Sequence, residues 1–249
     1  NTSFEPMIRQ HVESGADITL MYKKVAMTDL DYSRASNNAH ALIDIDEENI
    51  VRDMEVNPNA ASYDTMYMNV LLVKRTLLMH LVDGAAAHGS HDINRELLQP
   101  AIKSGSLKVY GYEFEGYYRR IETIKSYFRC NMDLLDYNVR RELFKANPVY
   151  TKTRDDVPAV YRAGNSVKNS LVADGCVIEG SVENCVLFRG VHIGRNASVK
   201  NAIIMQDSMV EDAVELENVI LDKNVTIRAH GRLIGQVQYP IVIGKNVTL

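Results

Sequence analysis

The feature that most constrains this chain is a six-residue aliphatic period running through its second half. From residue 166 to residue 249 there are 14 Val and 9 Ile in 84 positions, and the aromatics are Phe188 and Tyr239 alone. Large aliphatic residues step through Val172 and Ile178; Leu187, Ile193 and Val199; Ile204, Val210 and Leu216; Leu221, Ile227 and Leu233. Two positions ahead of them stand smaller residues, among them Ser170, Cys176, Cys185, Ala197, Ala202 and Ser208. In a strand, positions i and i−2 share a face. Each hexad therefore turns one small and one large side chain inward and then bends at a polar corner. β-branched composition without helical period makes this half all strand. Three hexads close one triangular coil of about 18 residues, and stacked coils bury a continuous aliphatic core.

A longer echo supports the coil. Asn184-Cys185-Val186-Leu187 recurs as Asn201-Ala202-Ile203-Ile204 and as Asn218-Val219-Ile220-Leu221, with Asn169-Ser170-Leu171-Val172 as a first copy. Asn tolerates left-handed backbone angles at a corner, and stacked Asn side chains can hydrogen-bond along the coil axis. The inward slots assign Cys176 and Cys185 to packing, and Cys130, on a helix without a ligand partner, to a core as well. Val177, Val186, Ile203 and Ile220 fall on outward positions. The last three line up as an aliphatic stripe, which predicts a contact surface with another chain. The pattern resembles the hexapeptide repeat of left-handed parallel β-helices; the hand comes from the resemblance, since generic crossovers are right-handed.

The first half reads differently. Ile18–Lys23, 39–45, Asn49–Glu55, Thr65–Val73 and Leu107–Phe114 are predicted strands. Pro6–Ser14, Lys74–Leu81, Ile93–Lys103 and Thr123–Tyr137 are predicted helices, with Gly15 and Gly105 as stops. Such alternation points to a layered α/β domain over 1–146. A linker over 147–164 carries Pro148, Pro158 and a charged run, and the β-helix occupies 165–249. The chain opens on Asn1 rather than Met, so the α/β domain is expected to be N-terminally incomplete.

Composition narrows the function classes. Twenty-eight Lys and Arg against 32 Asp and Glu give a net charge of −4, which argues against nucleic acid as a partner. No apolar run is long enough to span a membrane. An odd count of three cysteines in a chain of this length suits a reducing, cytoplasmic compartment. Tyr110, Tyr112, Tyr117 and Tyr118 read as packing around an apolar strand rather than as a base-stacking platform. His88 and His91 read as a loop and helix start rather than metal ligands, with Asp92 capping the next helix.

Several segments carry a family resemblance. Gly15-Ala16-Asp17-Ile18-Thr19 resembles the "GADIT" passage of bacterial ADP-glucose pyrophosphorylases (glucose-1-phosphate adenylyltransferases). Ser90-His91-Asp92 followed by Leu97-Leu98-Gln99-Pro100 resembles their "SHDFGKDLIP" segment. Asn169-Ser170-Leu171-Val172 and Gly175-Cys176-Val177-Ile178 are similar to the family's entry into its β-helix. Tyr239-Pro240-Ile241-Val242-Ile243 is similar to the ending of the GlgD-type, non-catalytic subunits. The resemblance implies a nucleotidyltransferase-like (Rossmann-like) α/β domain followed by a left-handed parallel β-helix, in glycogen biosynthesis.

Adenylyl transfer to a sugar phosphate needs a glycine-rich cradle, a carboxylate-held magnesium ion and a cation for the sugar phosphate. None of the 14 Gly forms a phosphate-binding motif. The family's "W-R-D-V-G-T" aligns with Tyr118-Arg119-Arg120-Ile121-Glu122-Thr123, so Arg120 stands in place of a metal carboxylate, with Glu122 two residues on. The family's "E-K-P" reads Val56-Asn57-Pro58, and its "M-G-I-Y" reads Met68-Asn69-Val70-Leu71. By this resemblance Asn57, Asn69 and Arg120 mark a vestigial sugar-phosphate pocket. No catalytic residue, metal ligand or cofactor is then expected in this chain, and Mg2+ belongs to a catalytic partner subunit. A heterotetramer with that subunit is implied, with self-association open. Arg228, His230 and Arg232 form a basic cluster that is a candidate anionic effector site. Two alternatives stand beside this reading. One is an active sugar-phosphate nucleotidyltransferase whose N-terminal loop lies outside the sequence. The other is a hexapeptide-repeat acyltransferase using His192 or His230 as base.

Overall fold

The computed structural model describes residues 1–26, 40–87, 89, 92–145, 149–152 and 154–249. The chain divides into two compact units, Thr2–Tyr118 and Arg119–Leu249, the second including Asn1. His88, Ser90 and His91 lie outside the described residues, as does Ala39 at the head of a predicted strand.

In the first unit, helix α1 (Glu5–Ser14) carries Pro6 in its opening turn, where a missing amide costs nothing. It stops at Gly15, whose φ of 61° lets its amide turn back to the carbonyls of His11 and Val12. The sheet comprises β1 (Ile18–Lys24), β2 (Ala41–Ile45), β3 (Val51–Val56), β4 (Thr65–Val73) and β5 (Val109–Glu113) in the order β3-β2-β4-β1-β5. It is mixed, with β1 antiparallel to β4 and parallel to β5. Ile18 through Tyr22 are buried on both faces of β1, as an inner strand requires. Ile43, Met54, Tyr67, Leu98 and Ile102 complete that core.

The β2–β3 hairpin curls round to the outer edge of β5, where the Gly111 amide donates to the Asn49 carbonyl at 2.8 Å. A Cβ at Gly111 would meet Ile45 and the Tyr22 ring at 2.8 Å, so any larger residue there would force those side chains to shift. Helix α2 (Arg75–Ala87) follows β4 directly. The helix predicted over 93–103 is π-helical over Ile93–Leu98 before α3 (Gln99–Ser104). Pro100 explains the change, because its missing amide cannot donate to the carbonyl of Glu96. Asp92 caps the segment by accepting from the amides of Asn94 and Arg95 at 2.9 and 3.1 Å. Tyr118 packs near Leu42 and Met66, in keeping with a packing role.

The second unit starts with two helices where the sequence suggests one: α4 (Ile124–Asp133) and α5 (Tyr137–Phe144). Thr123 and Ser126 form a capping box on α4, and Asp136 accepts from the Asn138 amide to start α5. Both helices group with the β-helix unit rather than with the sheet unit. The β-helix also begins earlier than the sequence suggests. Val160–Tyr161 pairs in parallel with Val177–Ile178, inside the segment read as a linker. Ala159 packs against the helical core one coil below Cys176, and Pro158 is tolerated because it precedes an edge strand.

Three sides repeat through about four coils. One stacks Ser166–Lys168, Ser181–Glu183, Ser198–Lys200, Glu215–Glu217 and Arg232–Ile234 in register. The predicted inward residues form one core, with Cys176, Cys185, Ile193, Ile204 and Leu221 all at 0 % exposure. Asn169, Asn184, Asn201 and Asn218 all have positive φ at one corner. The Asn169 amide donates to Asn184 Oδ1 at 2.7 Å, Asn184 to Asn201 at 3.3 Å, and Asn218 to the Gly235 carbonyl at 3.1 Å. The coil from Ser166 to Ser181 is two residues shorter than the two that follow it, since Ser166 pairs with Ser181 but Ser181 with Ser198 and Ser198 with Glu215. Gly180 makes that tight corner possible, because a Cβ there would meet the Ala197 and Gly194 carbonyls at 2.5 and 2.7 Å.

One expectation is overturned. The Val186, Ile203 and Ile220 stripe is not an open contact surface: the three residues are 8 %, 0 % and 3 % exposed. Phe128 of α4 packs on Ile203 and Ile220, joined by Tyr127, Met132, Phe188 and Met205. Val177 lies on another side, paired with His192. The outward aliphatics are there to seat α4, an interaction that hexad period cannot reveal.

Candidate functional site

Asn57 ends β3 with φ at 53°. Its amide donates to the His40 carbonyl and its Oδ1 accepts from the His40 amide, both at 2.7 Å. Its side chain thus closes a backbone turn, a task no lysine could perform with the same atoms. Asn69 sits where the β1–β4 register slips, so that Met21 faces Val70 and Tyr22 faces Tyr67. Its φ of 57° is the left-handed conformation glycine favours, and asparagine is the side chain that best tolerates it. The Asn69 Oδ1 accepts from Asn94 Nδ2 at 3.3 Å. The glycine-like backbone is kept and a polar side chain is added to it.

Arg120 belongs to the second unit. Its guanidinium lies 2.7 Å from Glu122 Oε1, with the two side chains only 15 % and 8 % exposed. Arg119 pairs with Asp133 of α4 at 3.0 Å. Breaking a buried ion pair strands its partner charge and costs about 3–5 kcal/mol. The Glu122 carboxylate, already held by a guanidinium, therefore does not fit a divalent cation. Among the described residues no group of three or more His, Cys, Asp and Glu is arranged to hold a metal ion.

The candidate effector cluster flanks one β-helix corner. His230 is the corner residue, with φ at 64°. Arg232 donates from Nε to Glu215 Oε2 at 2.7 Å, its in-register neighbour on the preceding coil. Glu211 Oε2 accepts from the Ala229 amide at 2.9 Å. Glu211 and Glu215 thus bring negative charge to the cluster. His192, on another side, has Nε2 3.4 Å from Glu179 Oε2, and Arg195 lies 3.8 Å from the same carboxylate.

Sequence reasoning missed a cleft of about 490 Å³ in the first unit, at the carboxyl ends of β1, β2 and β5. Its walls include Tyr22, Lys24, Asp44, Asp46, Tyr63 and Glu113. Lys24 is 3.5 Å from Glu113, and Tyr22 OH donates to that carboxylate at 3.4 Å. Burial, then the Glu113 charge, pushes the Tyr22 hydroxyl up to about 12. Asp46 is held below the usual carboxylate range, first by the Ile50 amide and then by Arg52 against some desolvation. The acidic turn was visible in the sequence, but the curl that folds it over β5 was not. With its cation paired and its walls acidic, the cleft does not favour a phosphorylated ligand.

An α/β unit ahead of a three-sided β-helix built on hexads defines a hexapeptide-repeat protein of two units, and residues 157–238 match the family described as "GlmU-like, C-terminal hexapeptide". The chain is 34 % identical over 215 residues to the glycogen biosynthesis protein GlgD of Bacillus subtilis, covering 85 % of this chain and 62 % of that protein. It is 33 % identical over 204 residues to the glucose-1-phosphate adenylyltransferase of Halalkalibacterium halodurans, covering 79 % and 50 %. It is 27 % identical over 237 residues to that of Acetivibrio thermocellus, covering 93 % and 53 %. The resemblance to GlgD and the glucose-1-phosphate adenylyltransferases is therefore borne out along most of the chain. The chain spans about half to three-fifths of the length of these relatives. Among the described residues no helix is long and apolar enough to cross a membrane.

Proposed function

We propose that this chain is part of a regulatory, non-catalytic subunit in glycogen biosynthesis, acting in the cytoplasm on a catalytic glucose-1-phosphate adenylyltransferase. In that reading the partner carries the magnesium ion and makes ADP-glucose from glucose 1-phosphate and ATP. The observation that carries the proposal is the Arg120–Glu122 pair, 2.7 Å apart and largely sequestered from water. Phosphoryl and adenylyl transfer depend on metal and cationic groups to stabilise developing negative charge. Here the carboxylate nearest the family's metal position is neutralised from within the chain. Asn57, where the family carries lysine, offers no cation and spends its side chain on the His40 turn. The residues at the family's sugar-phosphate positions thus serve the local fold. A subunit without chemistry acts through the one that has it, by a coupling of about 1–3 kcal/mol in ligand affinity.

The test is ADP-glucose synthesis by the full-length protein, alone and mixed with a catalytic subunit from the same organism. The expected result is negligible turnover alone and altered kinetics in the mixture. Turnover alone within tenfold of a working pyrophosphorylase refutes the loss of catalysis. Failure to associate with the catalytic subunit, with its kinetics unchanged, refutes the regulatory role.

A further inference from the structure

The sheet of the first unit curls until its edge strands touch. Ile50, just ahead of β3, bridges antiparallel to Tyr110 of β5, and the Gly111 amide donates to the Asn49 carbonyl. One end of this curl is the cleft of about 490 Å³ at the carboxyl ends of β1, β2 and β5. The mouth of a barrel-like sheet is a common place for a small-molecule site, and the volume falls in the range of such pockets. The floor is apolar: Tyr22 and Ile43 are buried, with Ile45 beside them. Asn57, Asn69 and Arg120 are not among its walls.

Most of the rim is held in place from within the chain. Tyr63 OH donates to Asp53 Oδ2 at 3.1 Å, and Arg52 Nε donates to Asp46 Oδ2 at 2.6 Å. Lys24 and the Tyr22 hydroxyl flank Glu113 at 3.5 and 3.4 Å. These bonds fix side chains before a ligand arrives, which lowers the ordering cost of binding. Asp44 is the exception. It is half-buried in the wall, and among the described residues no hydrogen bond or ion pair engages its carboxylate. A carboxylate drawn from water without a donor is costly, and a ligand hydroxyl supplies one in a charge-assisted bond.

Charge and polarity select the class of ligand. The carboxylates of Asp44, Asp46 and Glu113 repel an anion. Arg52 and Lys24 already compensate two of the three, and Lys24 stands in the wall against a cation. What the cleft offers is acceptor oxygens and one ammonium donor above an apolar floor. We propose that it binds a neutral sugar. A sugar carries no charge, its hydroxyls both donate and accept, and its C–H faces are apolar, so it matches the rim and the floor together. Its hydroxyls donate to Asp44 and accept from Lys24, while a C–H face lies against Ile45 and the Tyr63 ring. This inference does not rest on whether the chain is catalytic or regulatory.

Titration calorimetry of the 249-residue chain with glucose, maltose and cellobiose tests it. Saturable binding of at least one of the three is expected. Asp44→Ala is expected to weaken that binding about tenfold or more, as the loss of a hydrogen bond to a charged group does. Glu13→Ala, which removes the same charge from an exposed position on α1, is expected to leave it unchanged. If Asp44→Ala fails to fold, isoleucine-methyl NMR of the wild type stands in. The sugar is then expected to shift Ile43 and Ile45 and to leave Ile193 and Ile227 of the β-helix unmoved. Failure of all three sugars to bind, equal affinity in Asp44→Ala, or shifts confined to the β-helix overturns the proposal. Tighter binding of spermidine or of glucose 1-phosphate in the same cleft overturns it as well, because the ligand is then a cation or an anion.

Discussion

Arg120 and Glu122, separated by one residue, hold each other at 2.7 Å with both side chains largely out of water. The pair turns a segment that resembles a metal site into a structural tie. Arg120→Ala leaves the Glu122 carboxylate buried without its counter-charge and is expected to lower stability by about 3 kcal/mol. Urea denaturation checks this. A loss below about 1 kcal/mol shows that the pair is not the tie described.

Phe128 is 5 % exposed and seats α4 on Ile203 and Ile220. Phe128→Ala is expected to cost about 3–5 kcal/mol, as for other large-to-small changes in packed cores. Placing lysine at both Ile203 and Ile220 is expected to unfold the second unit rather than merely block an assembly contact. A well-folded double variant by circular dichroism and thermal melting contradicts the burial of that stripe.

Cys176 and Cys185 fill small inward slots at 0 % exposure. Burial raises both thiols, Cys185 to about 12, so neither forms a thiolate readily near neutral pH. Cys130 lies on α4 at intermediate exposure and is expected to label first with a thiol reagent. Cys185→Ala is expected to cost on the order of 1 kcal/mol. Labelling of Cys185 as fast as Cys130 in the folded protein contradicts the assignment.

His11 is buried in α1, with Nδ1 2.8 Å from Thr19 Oγ1. Burial lowers its pKa below 6.5, the Lys74 charge adds to this, and Asp17 opposes it. The unfolded chain therefore binds more protons between the lowered value and 6.5. The stabilisation is full above 6.5 and is lost as pH falls through that window. Thermal midpoints are expected to decline there, and less steeply in His11→Gln. Equal slopes in both proteins rule His11 out as the source.

Gly180 turns the one shortened corner of the β-helix against the Ala197 and Gly194 carbonyls. Gly180→Ala forces a Cβ into backbone oxygen and is expected to cost roughly 1–3 kcal/mol. A two-residue insertion beside it, restoring the coil length of the later turns, is expected to make alanine tolerable. Calorimetry of the two variants decides the matter, and an unaffected Gly180→Ala alone removes the steric argument.

The amino-acid sequence by itself determined the β-helix, the inward place of Cys176 and Cys185, the Asn corners and most strands of the sheet. These depend on the alternation of faces and the chemistry of single corners, both of which recur at short range. It also located Asn57, Asn69 and Arg120 as departures from a family pattern. What each departure does was decided by tertiary structure: Asn57 closes a turn on His40, and Arg120 folds back on Glu122. The roof over Ile203 and Ile220 was likewise decided there, because Phe128 arrives from an element some 75 to 92 positions away in the chain. An outward aliphatic stripe states only that something apolar must cover it. Whether the cover is another chain or a helix of the same one depends on long-range packing, which no local period encodes.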